Sequence, residues 1–246
     1  MIVVKSPEEI GAMRDSGAIL AELLDNVKRE VKAGVSTAAL DEWVAAEMQR
    51  KGVKASFKGY QGFPASVCVS VNDEVVHGIP GSRVLRDGDV VSIDCGVYHR
   101  GFHSDAAITV GVGEISQQAA RLIEVTRESL SQGLKYVRAG NHVGDISAAI
   151  QRHVEGAGLS VVREYTGHGV GRELHEEPQI PNFVVGGKGP LLRAGMTLAI
   201  EPMVTAGGWR TRVAGNRWTV LTLDGSLAAH FEHSVAVTDG EPIVFA

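Results

Sequence analysis

What the chain lacks narrows its class before any motif is read. It has no run of 18 uninterrupted apolar residues, so no membrane-spanning helix is expected. The opening MIVVKSPEEIGAMRDSG carries no long apolar core of the kind a secretory signal needs. Only two cysteines occur, Cys68 and Cys95. Two thiols in 246 residues read as reduced and point to a cytoplasmic location rather than a disulfide scaffold. Basic clusters are missing and the net charge is −5, which gives no reason to expect direct binding of nucleic acid. No linker of flexible composition divides the chain, so residues 1–246 read as one domain.

Glycine, by contrast, is abundant at 30 residues, the composition of a chain with many tight turns and close backbone approaches. Ser6-Pro7-Glu8-Glu9 is a helix start: a capping hydroxyl, proline at the first position, acids in the first turn. Apolar residues then recur at helical spacing from Ile10 to Val31, with Gly34 as the stop. A second helix follows from Ser36 or Thr37 to Gly52, and Phe57–Pro64 reads as an aromatic, glycine-bearing loop. Ser66–Val71 alternates as a strand. Helical spacing returns over Ser116–Ala139 and Val143–Gly156, and a strand is expected at Leu159–Val162. Glu164–Pro190, rich in Gly, His and Pro, reads as irregular. Strands resume at Met196–Val204, Trp218–Leu223 and His230–Thr238. Two helices followed by strands thus occur twice, which suggests a structural duplication without visible sequence identity. Hairpins rather than βαβ units make this an α+β fold.

The stretch Val90–Val110, VVSIDCGVYHRGFHSDAAITV, reads as a β-hairpin, with two apolar β-branched runs around the polar centre Tyr98–Gly101. Each run carries one aspartate. The midpoint of Asp94 and Asp105 is 99.5, inside that centre, so a hairpin closed there sets the two side chains directly opposite each other. Such a pair needs a shared proton, a basic side chain or metal ions between its members.

Four further groups enter apolar surroundings: His77 after Val75-Val76; His168 and His175 in YTGHGVGRELHEEP; Glu201 in TLAIEPMV; and Glu232 in HFEHSVAV. An acid inside an apolar strand is costly without a partner, and too few lysines or arginines occupy matching strand positions to neutralise these. Asp, Asp, His, Glu and Glu form an oxygen-rich set with one imidazole, suited to Mn, Fe, Co or Zn and to two ions bridged by shared carboxylates. It does not suit a structural zinc, which favours cysteine. Each residue alone has a plainer explanation: a strand acid is more often a solvated charge, His168 a satisfied loop histidine, and His175 beside Glu176-Glu177 a surface ion pair. Cys95 and Trp43 read as core packing. The coincidence of all five groups is what favours chemistry.

In ordered motifs the chain resembles the type I methionine aminopeptidases of the creatinase-like "pita-bread" metallopeptidase family. The matching segments are SVCVSVNDEVVHGIP, DGDVVSIDCGVYHRGFHSDAAITV, YTGHGVGRELHEEPQIPN, AIEPMV and FEHSVAVTDG, which run in this order from Ser66 to Gly240, and the resemblance as a whole covers Pro7 to Asp239. The resemblance implies a curved antiparallel sheet with helices packed on its outer face and two pseudo-symmetric halves. It implies two divalent ions, with Asp105 and Glu232 bridging, Asp94 on one ion, and His168 with Glu201 on the other. His77 and His175 would contact the substrate and the tetrahedral intermediate, and Glu201 would also serve as general base. The methionine pocket would draw on Tyr60, Phe63, Cys68, Leu174 and Trp218, residues whose composition equally suits a core.

The activity so implied is hydrolytic removal of the initiator methionine from peptides and nascent proteins with a small second residue, a step of protein maturation. The partner is then a peptide or nascent-chain N-terminus, with ribosome docking conceivable, no membrane, and a monomeric chain. Ile2 is too bulky for that rule, so Met1 of this chain is expected to be retained. The absence of a long N-terminal domain argues against the proline-specific aminopeptidase and prolidase branches, and the absence of a long insertion after His175 argues against type II. Departures from the family pattern are Cys95-Gly96 after the first aspartate, His99-Arg100 in the hairpin turn, Leu174, and His230 where glutamine is usual. A non-catalytic binding module is the reading from another class, and its members are expected to have lost ligands that this chain keeps.

Overall fold

A computed structural model describes all 246 residues. The first helix, α1 (Pro7–Glu30), begins with the capping box the sequence announces: the Ser6 hydroxyl accepts from the Glu9 N–H, and the Glu9 carboxylate accepts from the Ser6 N–H at 2.8 Å. It ends at Glu30, short of Gly34, which sits in the following turn with φ 89°. Then come α2 (Thr37–Lys51), β1 (Lys54–Ala55), β2 (Val67–Val71), β3 (Glu74–Val76), β4 (Val90–His99) and β5 (Phe102–Gly111). The second half opens with α3 (Gln117–Leu134) and α4 (Val143–Gly156). The short strands β6 (Ser160–Val161), β7 (Thr166–Gly169), β8 (Glu176–Pro181), β9 (Thr197–Ile200) and β10 (Met203–Thr205) follow. The chain finishes through β11 (Thr211–Val213), β12 (Val220–Thr222), β13 (Ala228–His230), β14 (His233–Ala236) and β15 (Ile243–Val244).

The expected antiparallel strand surface is present as four sheets: β1-β4-β2 with β5 on β4, β13-β10-β6, β11-β12-β3, and β15-β14-β9-β7-β8. Two apolar cores of equal size underlie them. In the first, 19 buried residues join Leu20, Leu23 and Val27 of α1 and Leu40 and Val44 of α2 to Val67 and Val69 of β2 and Val91, Ile93 and Cys95 of β4. In the second, another 19 join Leu122 and Leu130 of α3 and Ile146 and Ile150 of α4 to Leu198, Ile200 and Val235. Ile108 of β5 packs against both. This is the duplication read from the sequence, with each helix pair packed on its own strands. Cys95 lies in the first core and Trp43 packs on it; both cysteines are free thiols.

The structure departs from the sequence expectations at three places. First, the β4–β5 hairpin closes on Arg100-Gly101, both at positive φ (51° and 85°), as a two-residue primed turn demands. The register follows that turn: Asp94 opposes Ala107 and Asp105 opposes Gly96, so the aspartates are diagonal neighbours rather than directly opposed. Second, Glu164–Pro190 is not wholly irregular, since β7 and β8 lie within it. A β-carbon on Gly167 would come within 2.5 Å of the Ala199 carbonyl, and one on Gly169 would strike the Glu177 carbonyl. These glycines let β7 pass between β8 and β9, and β8, being an edge strand, tolerates Pro178 and Pro181. Third, Met196–Val204 and His230–Thr238 are broken: Glu201-Pro202 separates β9 from β10, and Phe231-Glu232 separates β13 from β14. No helix is long and apolar enough to cross a membrane.

Candidate metal centre

Side-chain alternation decides what reaches the seam between the halves. On β4, Val91, Ile93, Cys95 and Val97 face the helices and are buried in the first core, so Asp94 and Gly96 face the other way. Cys68 pairs with Asp94 across β2–β4 and shares its face. Asp105 and Ala107 of β5 oppose Gly96 and Asp94, completing that face.

The second half is tied onto this face at regular intervals along β5. Ser234 Oγ accepts from the Asp105 N–H at 2.8 Å and donates to the Asp105 carbonyl at 2.7 Å. Ala107 and Glu232 exchange backbone hydrogen bonds at 3.3 and 3.0 Å. The Thr109 hydroxyl donates to the His230 carbonyl at 2.6 Å and accepts the His230 N–H at 2.9 Å. Residues 230–234 therefore run antiparallel to 105–109, and this pairing delivers Glu232 beside Asp105. His168 comes from β7, which pairs with Ala199 of β9. Glu201 leaves β9 where Pro202, lacking an N–H, cannot extend the ladder, and Asn182 holds the Glu201 carbonyl through a 2.9 Å hydrogen bond.

All five expected ligands, Asp94, Asp105, His168, Glu201 and Glu232, line one cleft of about 160 Å³. One ligand atom each from Asp105, His168 and Glu232 lies within 4.8 Å of the other two. His168 Nε2 is 3.9 Å from Asp105 Oδ2 and 3.7 Å from Glu201 Oε1. The opposite ring nitrogen, Nδ1, donates to the Gly169 carbonyl at 2.8 Å, which leaves the Nε2 lone pair free for a cation.

Electrostatics makes the same demand. Burial raises Asp94 to about 7 and Glu201 to about 8, and lifts Asp105 and Glu232 well above the ordinary carboxylate range; neighbouring carboxylates add to the rise in Asp105 and Glu232. No lysine or arginine pairs with any of the four. Asp94 Oδ1, Asp105 Oδ1 and Glu232 Oε1 are buried without a hydrogen-bond partner. Orphaned anionic oxygens around a cleft, beside an imidazole whose own pKa burial lowers to about 3, fit a divalent-cation site built from oxygen with one nitrogen. The diagonal register helps: Cα separations of roughly 7–8 Å leave space between the aspartates that a directly opposed pair lacks.

His77 and His175 border the same cleft. His77 sits just past β3 at φ 58°, a strained conformation for a non-glycine residue, with its ring edge-on to Tyr165 and Trp218 at 5.8 and 6.3 Å. Burial lowers its pKa to about 4, so the ring is neutral at pH 7. His175 is open to solvent, lies 4.3 Å from the His168 ring, and shares a 2.8 Å hydrogen bond between Nδ1 and the Tyr60 hydroxyl. With that hydroxyl donating, the proton of the neutral ring stays on Nε2. The five residues expected to form a methionine pocket gather in one apolar cluster: Phe63, Cys68 and Leu174 are buried, and Tyr60 and Trp218 pack against them. Phe57 and Gln61 line the cleft as well and were not singled out in the sequence; the aromatic loop that holds them was the available signal.

Comparisons with known proteins place the chain among metallopeptidases. The profile of "Metallopeptidase family M24" matches residues 11–239. A "Methionine aminopeptidase" of Clostridium perfringens is 50% identical over 242 residues, covering 98% of this chain and 97% of the relative. The crystal structure of methionine aminopeptidase from Thermotoga maritima superposes with a TM-score of 0.97 at 45% identity, covering 100% of this chain and 99% of the other. An Xaa-Pro dipeptidase from Bacillus anthracis shares the fold at a TM-score of 0.80 and 22% identity, with this chain covering 61% of its length.

Proposed function

The chain belongs to metallopeptidase family M24, and on that footing we propose that it hydrolyses the N-terminal methionine from peptides and nascent proteins whose second residue is small. Residues 1–246 act as one catalytic domain of a monomeric, cytoplasmic enzyme, with the peptide N-terminus as its partner. The observation that carries this reading is the convergence of Asp94, Asp105, His168, Glu201 and Glu232 on one cleft beside an apolar pocket. The five residues would hold the divalent metal, with Asp105 and Glu232 as the ligands that two ions would share.

Bound divalent ions supply a water of lowered pKa and polarise the scissile carbonyl. The chain supplies the rest. Phe63, Cys68, Leu174 and Trp218 enclose the methionine side chain and exclude water from it. Glu201 takes the proton of the attacking water and returns it to the leaving amine. His175 Nε2–H, its tautomer fixed by Tyr60, donates to the oxygen on which negative charge develops. His77, held neutral by burial, contacts the scissile amide.

Assays of Met-Ala-Ser against Xaa-Pro dipeptides with the metal-loaded protein test this reading. Release of free methionine from the first and no cleavage of the second is the expected result. Preferential Xaa-Pro cleavage would move the chain to the proline-directed branch.

A further inference from the structure

Behind Glu201, outside the cleft lining, lies a histidine that the mechanism does not use. His230 is 1% exposed, and neither ring nitrogen has a hydrogen-bond partner. An imidazole that deeply buried and that unsatisfied is unusual, because buried polar groups are normally paired. Its backbone cannot relax the situation: the Thr109 hydroxyl grips both the His230 N–H and carbonyl, Ser92 sits 2.8 Å from that hydroxyl, and His230 pairs with Met203 across β13–β10. The ring is therefore presented at a fixed place, and its Nε2 points at Glu201 Oε2, 3.5 Å away. The other oxygen of the same carboxylate faces His168 Nε2 at 3.7 Å. Glu201 is bracketed by two imidazoles.

The two imidazoles are not equivalent. His168 has the arrangement of a ligand, with Nδ1–H anchored on a carbonyl and Nε2 free. His230 has no such anchor, and it does not share the close three-residue group of Asp105, His168 and Glu232. We propose that His230 is a positioning residue: its Nε2–H donates to Glu201 Oε2 and fixes the rotation of that carboxylate, so that Oε1 is presented toward the centre. This rests on the reading of the cleft as a metal centre.

The test compares the wild-type chain with His230→Gln and His230→Asn, each stripped of metal and titrated with Co²⁺ by calorimetry, with the visible Co²⁺ absorption bands recorded on the same samples. Glutamine carries an N–H donor to about the position of Nε2, whereas asparagine, one methylene shorter, stops near Nδ1; both leave a polar amide at the site, so the pair isolates the donor. Outer-shell partners of ligands are worth about 10–100-fold in metal affinity, so H230N is expected to bind Co²⁺ that much more weakly, with an altered band pattern, while H230Q stays within about threefold of wild type. Wild-type affinity in H230N, or equal loss in both variants, would overturn the positioning role while leaving the metal centre intact. Absence of Co²⁺ binding by the wild-type chain would overturn the centre and this role together.

Discussion

The Ser234 hydroxyl closes on the backbone of Asp105 from both sides, accepting its N–H at 2.8 Å and donating to its carbonyl at 2.7 Å. Ser234 comes from the second half of the chain and Asp105 from the first, so one buried hydroxyl fixes a carboxylate at the seam. Ser234→Ala leaves two buried backbone groups unsatisfied. Urea unfolding of the metal-free protein is expected to show a loss of about 1–3 kcal/mol, and metal affinity should fall with it. Unchanged stability would mean that the seam is held elsewhere.

The raised carboxylate pKa values fix a pH dependence for the metal-free chain. In the unfolded chain these groups ionise near pH 4, whereas in the folded chain Asp94 and Glu201 keep their protons up to about 7 and about 8. The folded state thus binds more protons over that range, and stability falls as pH rises. His77 and His168, lowered from an ordinary 6.5 to about 4 and about 3, act in the opposite sense at lower pH and contribute little above 7. Midpoints of urea unfolding should therefore drop between pH 7 and 8 without metal and stay level with it, since bound carboxylates are already ionised. A rise in the metal-free midpoint over that window would contradict the account.

In the proposed mechanism His175 donates to developing charge, and its Nδ1 shares a 2.8 Å hydrogen bond with the Tyr60 hydroxyl. Removing one such donor typically lowers kcat by about 10²–10³ with a smaller change in KM. His175→Ala should show that pattern on Met-Ala-Ser, and Tyr60→Phe a milder form of it. A change confined to KM would reassign His175 to ground-state binding.

Gly96 opposes Asp105, and a β-carbon there would lie 2.6 Å from Ser56 Cβ and 2.9 Å from Phe57 Cε1. Phe57 is a wall of the cleft. Gly96→Ala is expected to cost about 1–3 kcal/mol through overpacking and to raise KM for methionyl peptides while leaving metal affinity in place. Calorimetry and steady-state kinetics on one preparation separate the two effects. Loss of metal binding instead would mean that the added methyl displaces Asp105.

Much of this was legible in the sequence because it depends on local chemistry. The Ser6–Glu9 capping box, the apolar period of α4 and the β-branched runs of the hairpin are set by neighbours in the chain, and they formed as expected. The hairpin register was misread because symmetry about the polar centre ignored the turn: Arg100-Gly101 takes positive φ, and closure there shifts every pair. The strands of 166–181 were hidden because their glycines and prolines answer to crowding by β9 and to an edge position, neither of which is local. Asp94, His168 and Glu232 could be singled out as acids and an imidazole in apolar company. That Ala107, Thr109 and Ser234 bring Glu232 beside Asp105 depends on pairing between segments more than 100 residues apart.

Titrating metal-stripped wild-type protein and Asp105→Ala with Fe, Mn, Co and Zn under anaerobic conditions measures the metal dependence of turnover. Methionine release from Met-Ala-Ser should be absent without metal, return on titration in the wild-type chain, and stay absent in Asp105→Ala. Full turnover by the stripped protein, or by Asp105→Ala, would contradict it.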